Sequence, residues 1–291
     1  MSDEKRRRIK QFEVMVAETI RETYDTTTLI LFTGNDTLEY KPGHFVTLDA
    51  HQFPALERWI AYLEDMKGRK EPPRAYSLFS APHEKYLAIT IKEERYVSNQ
   101  TKYPPLLSPV LVHRLERGAK MVITGFTGPY VLPDDIESRT DHLVHVSAGS
   151  GVVPNMSIIK HALANNMNLK HTLIYSNKTW KDVIYRRFLI DLQKKYPEKL
   201  KVVHALTREE NPQSDSEIAV GSRVDEKLLR QHVPDSSGAE FFVCGPGITK
   251  IDRQAAKAQE TEPQPRFLES VIAGLQAMGV TKEQIHNESY G

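Results

Sequence analysis

The chain has 291 residues, enough for two hydrophobic cores, since single domains commonly run to roughly 100–200 residues. Hydrophobic residues at 40% and charged residues at 26% are ordinary for a globular protein and exclude wholesale disorder. With 39 Lys and Arg against 38 Asp and Glu the formal charge is +1, so no global field favours nucleic acid or a membrane surface.

The N-terminus carries Lys5, Arg6, Arg7 and Arg8 with no long apolar run behind them, a pattern expected of a solvated tail rather than of a signal peptide. Docking to an acidic carrier protein is the alternative use of that run. No segment approaches the roughly 20 apolar residues of a membrane-spanning helix, so no membrane insertion is expected. Cys244 is the single cysteine, which rules out an internal disulfide and a four-cysteine iron–sulfur cluster built from this chain alone. A reducing, cytoplasmic compartment is the expectation.

From Phe12 to about Leu132, short β-rich runs are punctuated by turns: Thr28–Thr33, Phe45–Leu48, Ala75–Phe79, Leu87–Lys92 and Met121–Thr124. Regularly spaced strands argue for an antiparallel sandwich or barrel. One interruption, Pro54–Lys67, places Leu56, Trp59, Ile60, Leu63 and Met66 at helical spacing. It predicts an amphipathic cover packed on the barrel, with direct ligand contact as the alternative. Arg69 to Pro73 then reads as a polar loop.

After Pro133 the rhythm changes. The apolar runs Leu143–Ala148, His171–Ser176, Lys201–Thr207 and Phe241–Cys244 are separated by stretches of helical composition such as Met156–Asn165 and Tyr185–Lys195. Strands alternating with helices predict crossover connections and a parallel, doubly wound α/β sheet. The polar, Pro-containing stretches Glu209–Asp215 and Thr261–Pro265 are expected as surface loops. The predicted division is 1–136 and 137–291.

Within the second half, Val146-Ser147-Ala148-Gly149-Ser150-Gly151-Val152-Val153-Pro154 carries an apolar strand into a glycine pair and then a helix. Glycines there let the backbone turn tightly and approach a pyrophosphate, whose charge is favoured by the amides and dipole of the helix start. The third glycine of the usual fingerprint is absent, and Pro154 suits an early helical position that needs no amide donor. A plain strand-to-helix turn would also use two glycines. The segment Phe241-Phe242-Val243-Cys244-Gly245-Pro246-Gly247 adds a second strand ending in a glycine-rich turn. Ligands of open parallel sheets sit beyond the carboxyl ends of strands, so both turns can face one crevice. Cys244 then lies where a nicotinamide ring can rest, shaping the hydride-transfer pocket, although a lone buried cysteine is also a common core residue.

In the first half, Arg74-Ala75-Tyr76-Ser77-Leu78 alternates so that Arg74, Tyr76 and Leu78 share one strand face and Ser77 is displayed opposite. A guanidinium suits a phosphate and an aromatic ring suits a flat heterocycle. His142 and His145 fall on opposite strand faces, so no metal cluster is expected. Ser147, Ser150 and Asp141 form no nucleophile elbow.

Taken in order, these segments resemble the ferredoxin–NADP reductase superfamily, especially the reductase components of multi-component oxygenases. The series runs from Lys41-Pro42-Gly43-His44-Phe45 and Arg74, Tyr76, Ser77 through Leu107-Ser108-Pro109 and Gly125-Phe126-Thr127-Gly128-Pro129-Tyr130. It ends with Gly149/Gly151/Pro154, Cys244-Gly245-Pro246 and Glu288-Ser289-Tyr290. The resemblance implies a flavin-binding β-barrel followed by a nicotinamide-nucleotide domain, with FAD and NADPH or NADH as cofactors. Arg74 would bind flavin phosphate, Tyr76 would stack on the isoalloxazine, Ser77 would sit near N5, and Ala75 between them would belong to the same cofactor-binding stretch. Ser108, with Leu107 and neighbouring amides, would hold the pyrophosphate, while Ile91 and Lys92 would line the flavin's tail. Gly149, Ser150, Gly151, Val152 and Pro154 would carry the nucleotide, together with Gly245 and Pro246. Glu288 resembles the acidic residue near the flavin, and Tyr290 the C-terminal aromatic that covers the ring.

The adenosine ribose is expected near Ser176-Asn177-Lys178-Thr179, where no acidic residue is placed for a 2′-hydroxyl and where Lys178 and Arg208 can meet a 2′-phosphate. That leans to NADPH, although NADH-using relatives carry similar residues. Pro105 stands where the family commonly has a glycine, and the segments 54–67 and 252–267 are longer than usual. The implied activity is hydride transfer from reduced nicotinamide to flavin, followed by electron delivery to a separate protein, a ferredoxin or the oxygenase component. Two alternatives stay open: a regulatory subunit that binds flavin and nucleotide without turnover, and a free-flavin reductase. The oligomeric state is not legible.

Overall fold

The computed structural model describes residues 10–34, 38–97, 101, 103–214 and 217–290. The basic run Lys5 to Arg8 lies outside them. The chain divides into two compact units, Met1–Val131 and Leu132–Gly291.

The first unit holds β1 (Gln11–Thr23), β2 (Thr26–Phe32), β3 (Phe45–Leu48), β4 (Arg74–Ser77), β5 (Leu87–Lys92) and β6 (Lys120–Thr127), with α1 (Glu57–Lys67) and α2 (Ser108–His113). All neighbouring strands pair antiparallel, in the order β4-β3-β6-β1-β2-β5. The two edges then meet: Leu78 bridges Ile89, and the Phe79 N–H donates to the Ala88 carbonyl at 2.7 Å. The sheet therefore closes into a barrel, and closure removes the exposed edges that an open sheet would present.

Period-two alternation decides what fills it. Along β1, Val14 and Val16 are 1% and 0% exposed while Glu13 faces out. Each such buried Val is worth about 1.5–3 kcal/mol relative to exposure. Helix α1 lies over the barrel core with Ile60 and Leu63 buried, and Leu56 just ahead of it is buried too. The helix stops where Gly68 takes a left-handed conformation, φ 63°, with its N–H donating to the carbonyls of Glu64 and Asp65. The expected apolar stripe is narrower than its sequence suggests, because Met66 is 53% exposed and only Trp59 joins the core in part.

The second unit contains α3 (Ile136–Arg139), β7 (His142–Ala148), α4 (Val152–Ala164), β8 (Lys170–Asn177), α5 (Arg186–Lys195), β9 (Leu200–Leu206) and β10 (Ile218–Val220). It continues with α6 (Glu226–His232), β11 (Ala239–Gly245), α7 (Lys250–Ala258), α8 (Phe267–Ala277) and β12 (Ile285–Ser289). The six strands are parallel in the order β10-β9-β8-β7-β11-β12. Val144 and Val146 pack with α6 and α8 through Leu229, Val271 and Leu275, whereas His145 and Ser147 on the other face reach Asn155 of α4. Helices thus cover both faces, as a doubly wound parallel sheet requires.

Candidate functional site

The strand order of the second unit reverses direction between β7 and β11. From β7 the chain winds outward through β8, β9 and β10, then crosses back to place β11 on the other side of β7. In open α/β sheets such a switch point leaves a crevice beyond the carboxyl ends of the two strands, where ligands bind. Both glycine turns sit there. Gly149–Gly151 forms one 3-10 turn between β7 and α4, and Cys244, Gly245 and Pro246 lie at the end of β11.

The two turns are in close contact. A Cβ on Gly151 would stand 2.2 Å from the Cys244 carbonyl oxygen, and Gly149 has φ +53°. The turn is pinned by Tyr175 of β8, whose hydroxyl donates to the Gly149 carbonyl at 3.0 Å. Val152 and Pro154 are buried in the first turn of α4, Ser150 is half-buried and Pro246 is exposed. Pro154 occupies the third helical position, where an amide has no partner within the helix.

Beneath the turn lies a buried polar relay that sequence reasoning missed. Asn155 donates through Nδ2 to Ser147 Oγ at 2.8 Å, and its Oδ1 lies 2.9 Å from His145 Nδ1. The Asn155 oxygen must accept, so His145 carries its proton on Nδ1 and offers a lone pair at Nε2 to His171 Nδ1, 3.1 Å away. Burial lowers both imidazoles, His145 to about 4 and His171 well below its usual value, so both are neutral near pH 7. An apolar strand and the first turn of a helix directly after a glycine pair gave no cue to this pairing.

At the carboxyl end of β8, Ser176 and Asn177 are buried, and Asn177 Nδ2 has no hydrogen-bond partner among the described residues. Such an orphaned donor is what a ligand oxygen would satisfy. The Arg208 N–H donates to the Lys178 carbonyl at 2.9 Å, which sets these two exposed cations side by side at the end of the sheet.

Cys244 is fully buried and pairs in register with Glu288 of β12. Burial pushes its thiol well above the ordinary value, the Glu288 carboxyl adds to this, and a hydrogen bond with the Tyr290 side chain acts in the opposite sense. Glu288 Oε2 is buried without a partner among the described residues, and burial raises its carboxyl to about 7. The Tyr290 backbone N–H donates to the Gly245 carbonyl at 2.9 Å, so the strand that carries Glu288 is tied to the second glycine turn. The segment from 252 to 267, read as an extra piece, is α7 and the loop into α8. An ion pair of 2.8 Å between Asp252 and Arg266 joins its ends.

In the first unit the structure brings Arg74, Tyr76 and Ser108 into one neighbourhood. Tyr76 is half-buried; burial raises its phenol, and the Glu94 charge adds to that. The Glu94 N–H donates in turn to Ser108 Oγ at 3.0 Å. Arg74 donates to Glu71 Oε2 and to the Pro72 carbonyl, each at 2.6 Å, leaving three of its five N–H groups without a partner among the described residues. Ser77 is not displayed but 6% exposed, although the face of its strand that packs on the barrel core is the opposite one, which carries Tyr76 and Leu78. Ile91 and Leu107 point into the core at 1% and 2% exposure, so only their backbone is available to a ligand. Lys92 is paired with Asp25 at 2.8 Å. Ala75 is exposed.

Comparison with known proteins adds to this geometry. Residues 146–253 match the Oxidoreductase NAD-binding domain, the span that includes both glycine turns. The chain is 30% identical over 287 residues to the ferredoxin reductase component of 3-ketosteroid-9-alpha-monooxygenase from Mycolicibacterium smegmatis, covering 96% of this chain and 65% of that protein. The chain thus spans slightly under two thirds of that curated relative's length. Among solved structures it is similar to the cytochrome b5 reductase domain of Ulva prolifera nitrate reductase, with a TM-score of 0.70 at 20% identity over 96% of this chain and 97% of that one. It is also similar to ferredoxin-NADP+ reductase from Plasmodium falciparum with 2'P-AMP, at TM-score 0.66 and 18% identity over 96% of both chains. Residues 146–253 thus match an oxidoreductase NAD-binding domain, and the chain shares the fold of ferredoxin-NADP+ reductase from Plasmodium falciparum.

Proposed function

We propose that this chain is a flavin-dependent NAD(P)H oxidoreductase that delivers electrons to a separate redox protein, a ferredoxin or an oxygenase component. The observation that carries the reading is the pair of interlocked glycine turns at the switch point of a parallel sheet, joined to a barrel that presents Arg74 and Tyr76. In this reading Gly149, Ser150, Gly151 and Val152 hold the nicotinamide dinucleotide's pyrophosphate on the start of α4, where backbone amides favour an anion. Pro154 fixes the entry to that helix without consuming a donor. Cys244, Gly245 and Pro246 shape the nicotinamide end, with Glu288 on the adjoining strand and Tyr290 just beyond it. Arg74 meets the flavin phosphate, Ala75 and Tyr76 lie along the ring, and Ser77 closes its polar edge. Ser108 and Leu107 with their amides, and Ile91 and Lys92 beside them, form the tail of the site. When bound, the flavin supplies the conversion of a two-electron hydride donor into a one-electron source; the protein contributes alignment and exclusion of water.

FAD is the flavin this reading assigns. Lys178 and Arg208, side by side next to the orphaned Asn177 amide, favour NADPH over NADH through a charge-assisted contact to the 2′-phosphate. The Plasmodium falciparum reductase, whose structure holds 2'P-AMP, supports that choice. No helix among the described residues is long and apolar enough to cross a membrane, and the single cysteine suits a reducing, cytoplasmic setting.

The test is direct. The purified chain should be yellow, release FAD on denaturation and reduce ferricyanide with NADPH faster than with NADH at limiting concentrations. Lys178→Ala with Arg208→Ala should raise KM for NADPH and leave that for NADH unchanged. A colourless protein that takes up neither FAD nor FMN overturns the assignment.

A further inference from the structure

The helix α1 and the loop after it have no part in the reading so far, yet they end on Arg74. Glu71 is buried, its side chain 1% exposed, and its two carboxylate oxygens take different cations. Oε1 accepts from Lys67 Nζ at 2.5 Å, and Oε2 from Arg74 Nη2 at 2.6 Å. Lys67 is the last residue of α1, and Glu64, one turn earlier, accepts the Glu71 backbone N–H at 2.9 Å. Glu64 Oε1 also lies 2.9 Å from His51 Nε2, while His51 Nδ1 lies 2.6 Å from Asp49, the residue after β3. Between Glu71 and Arg74 stand Pro72 and Pro73, whose rings fix φ and stiffen the step. The Pro72 carbonyl takes a second guanidinium N–H. A brace therefore runs from the end of β3, through α1, to a carboxylate that grips one edge of the Arg74 guanidinium.

We propose that Glu71 is a positioning residue that holds the Arg74 guanidinium in the orientation needed for the flavin phosphate, with α1 as its support. The inference rests on the reading of Arg74 as the phosphate ligand. It assigns a task to a segment whose outward face is otherwise solvated. A long side chain tethered at two N–H groups keeps three for an anion and loses less freedom when the anion arrives.

Charge alone predicts the reverse. Lys67, Glu71 and Arg74 sum to +1, and Glu71→Gln raises that to +2, which strengthens attraction for a phosphate. Preorganisation predicts a loss of about fivefold to tenfold in affinity. The experiment strips flavin from the whole chain and titrates wild type, E71Q, Glu71→Asp and R74A with FAD and with riboflavin, which lacks a phosphate, following flavin fluorescence. Thermal denaturation is recorded alongside.

The expected result is weaker FAD binding by E71Q and E71D, with riboflavin binding within about twofold of wild type. E71D keeps the charge, so its loss reports geometry, and it serves if E71Q fails to fold. Unchanged or tighter FAD binding by E71Q or E71D overturns the proposal. Equal weakening toward FAD and riboflavin also overturns it, since that marks a role in the fold only. If R74A itself leaves FAD binding unchanged, the assignment of Arg74 falls and this inference with it. If R74A weakens FAD binding and E71Q does not, only the role of Glu71 falls.

Discussion

Gly151 and Cys244 lie so close that a Cβ on the glycine would stand 2.2 Å from the Cys244 carbonyl oxygen and 2.6 Å from its carbonyl carbon. Both partners are backbone, at the ends of adjacent strands that pair in register from Ala239 and His142 onward. No flexible side chain can yield. The contact welds the turn after β7 to the turn after β11 and so fixes the crevice in which a dinucleotide would lie.

Gly151→Ala should accordingly destabilise the fold by about 3 kcal/mol, at the upper end of what overpacking costs, and weaken nucleotide binding. Gly149→Ala meets nothing within 4 Å and carries only the strain of φ +53°, about 1 kcal/mol. Urea denaturation of the two variants checks the order. Equal losses would mean that the strands separate to admit a methyl group.

Cys244 should be silent toward thiol reagents. It is fully buried, and burial with the nearby Glu288 carboxyl keeps the thiol protonated far above neutrality. The thiolate is the reactive form, so native protein at pH 8 should show no fast reaction with a disulfide reagent and one equivalent after denaturation. Because the chain has one cysteine, the count is unambiguous. Rapid stoichiometric labelling of the native protein would show that the pocket opens to solvent.

The neutral pair His145 and His171 makes the fold sensitive to acid. Their folded values lie below the unfolded value of 6.5, so between pH 6.5 and about 4 the unfolded chain binds protons that the folded chain refuses. The stability they contribute is complete above pH 6.5 and is lost as the pH falls toward 4. For His145, fully buried and depressed to about 4, the loss is on the order of 3 kcal/mol. Nitrogen NMR of the imidazoles should show His145 fixed as the Nδ1–H tautomer down to about pH 4. A midpoint near 6.5 would remove the relay.

Much of this architecture was legible because alternation and glycine placement act locally. The strands Phe45–Leu48 and Leu87–Lys92 follow from short β-rich runs bounded by turns, and the glycine turns from apolar strands that run straight into glycine pairs after Ala148 and Cys244. Strand β12, Ile-His-Asn-Glu-Ser, was not legible, because it is an edge strand held to β11 by backbone bonds and has no apolar face to announce it. The expected strand Ala75–Phe79 begins and ends earlier, since at Leu78 the chain leaves β3 to bridge Ile89 and close the barrel. Alternation placed Ser77 opposite Tyr76 but could not show that Ser77 would be covered as well. The grip of Glu71 on Arg74 and of Asn155 on His145 depends on helix docking, and no spacing rule carries that. The capping signals of Thr249 with Asp252 and of Asp225 ahead of α6 were present in the sequence and would have found both helices.

Glu288 sets an opposite pH dependence. Its Oε2 is buried with no partner among the described residues, and burial raises the carboxyl from an ordinary 4.5 to about 7. Between those values the folded chain holds a proton that the unfolded chain has released, so the neutral group's contribution is complete below pH 4.5 and is lost as the pH rises through 7. Glu288→Gln cannot ionise and should escape that loss. Its stability relative to the parent chain should therefore improve from pH 5 to pH 8, in matched urea titrations. A difference that does not change with pH would show that Glu288 is ionised throughout, with its charge satisfied in the fold.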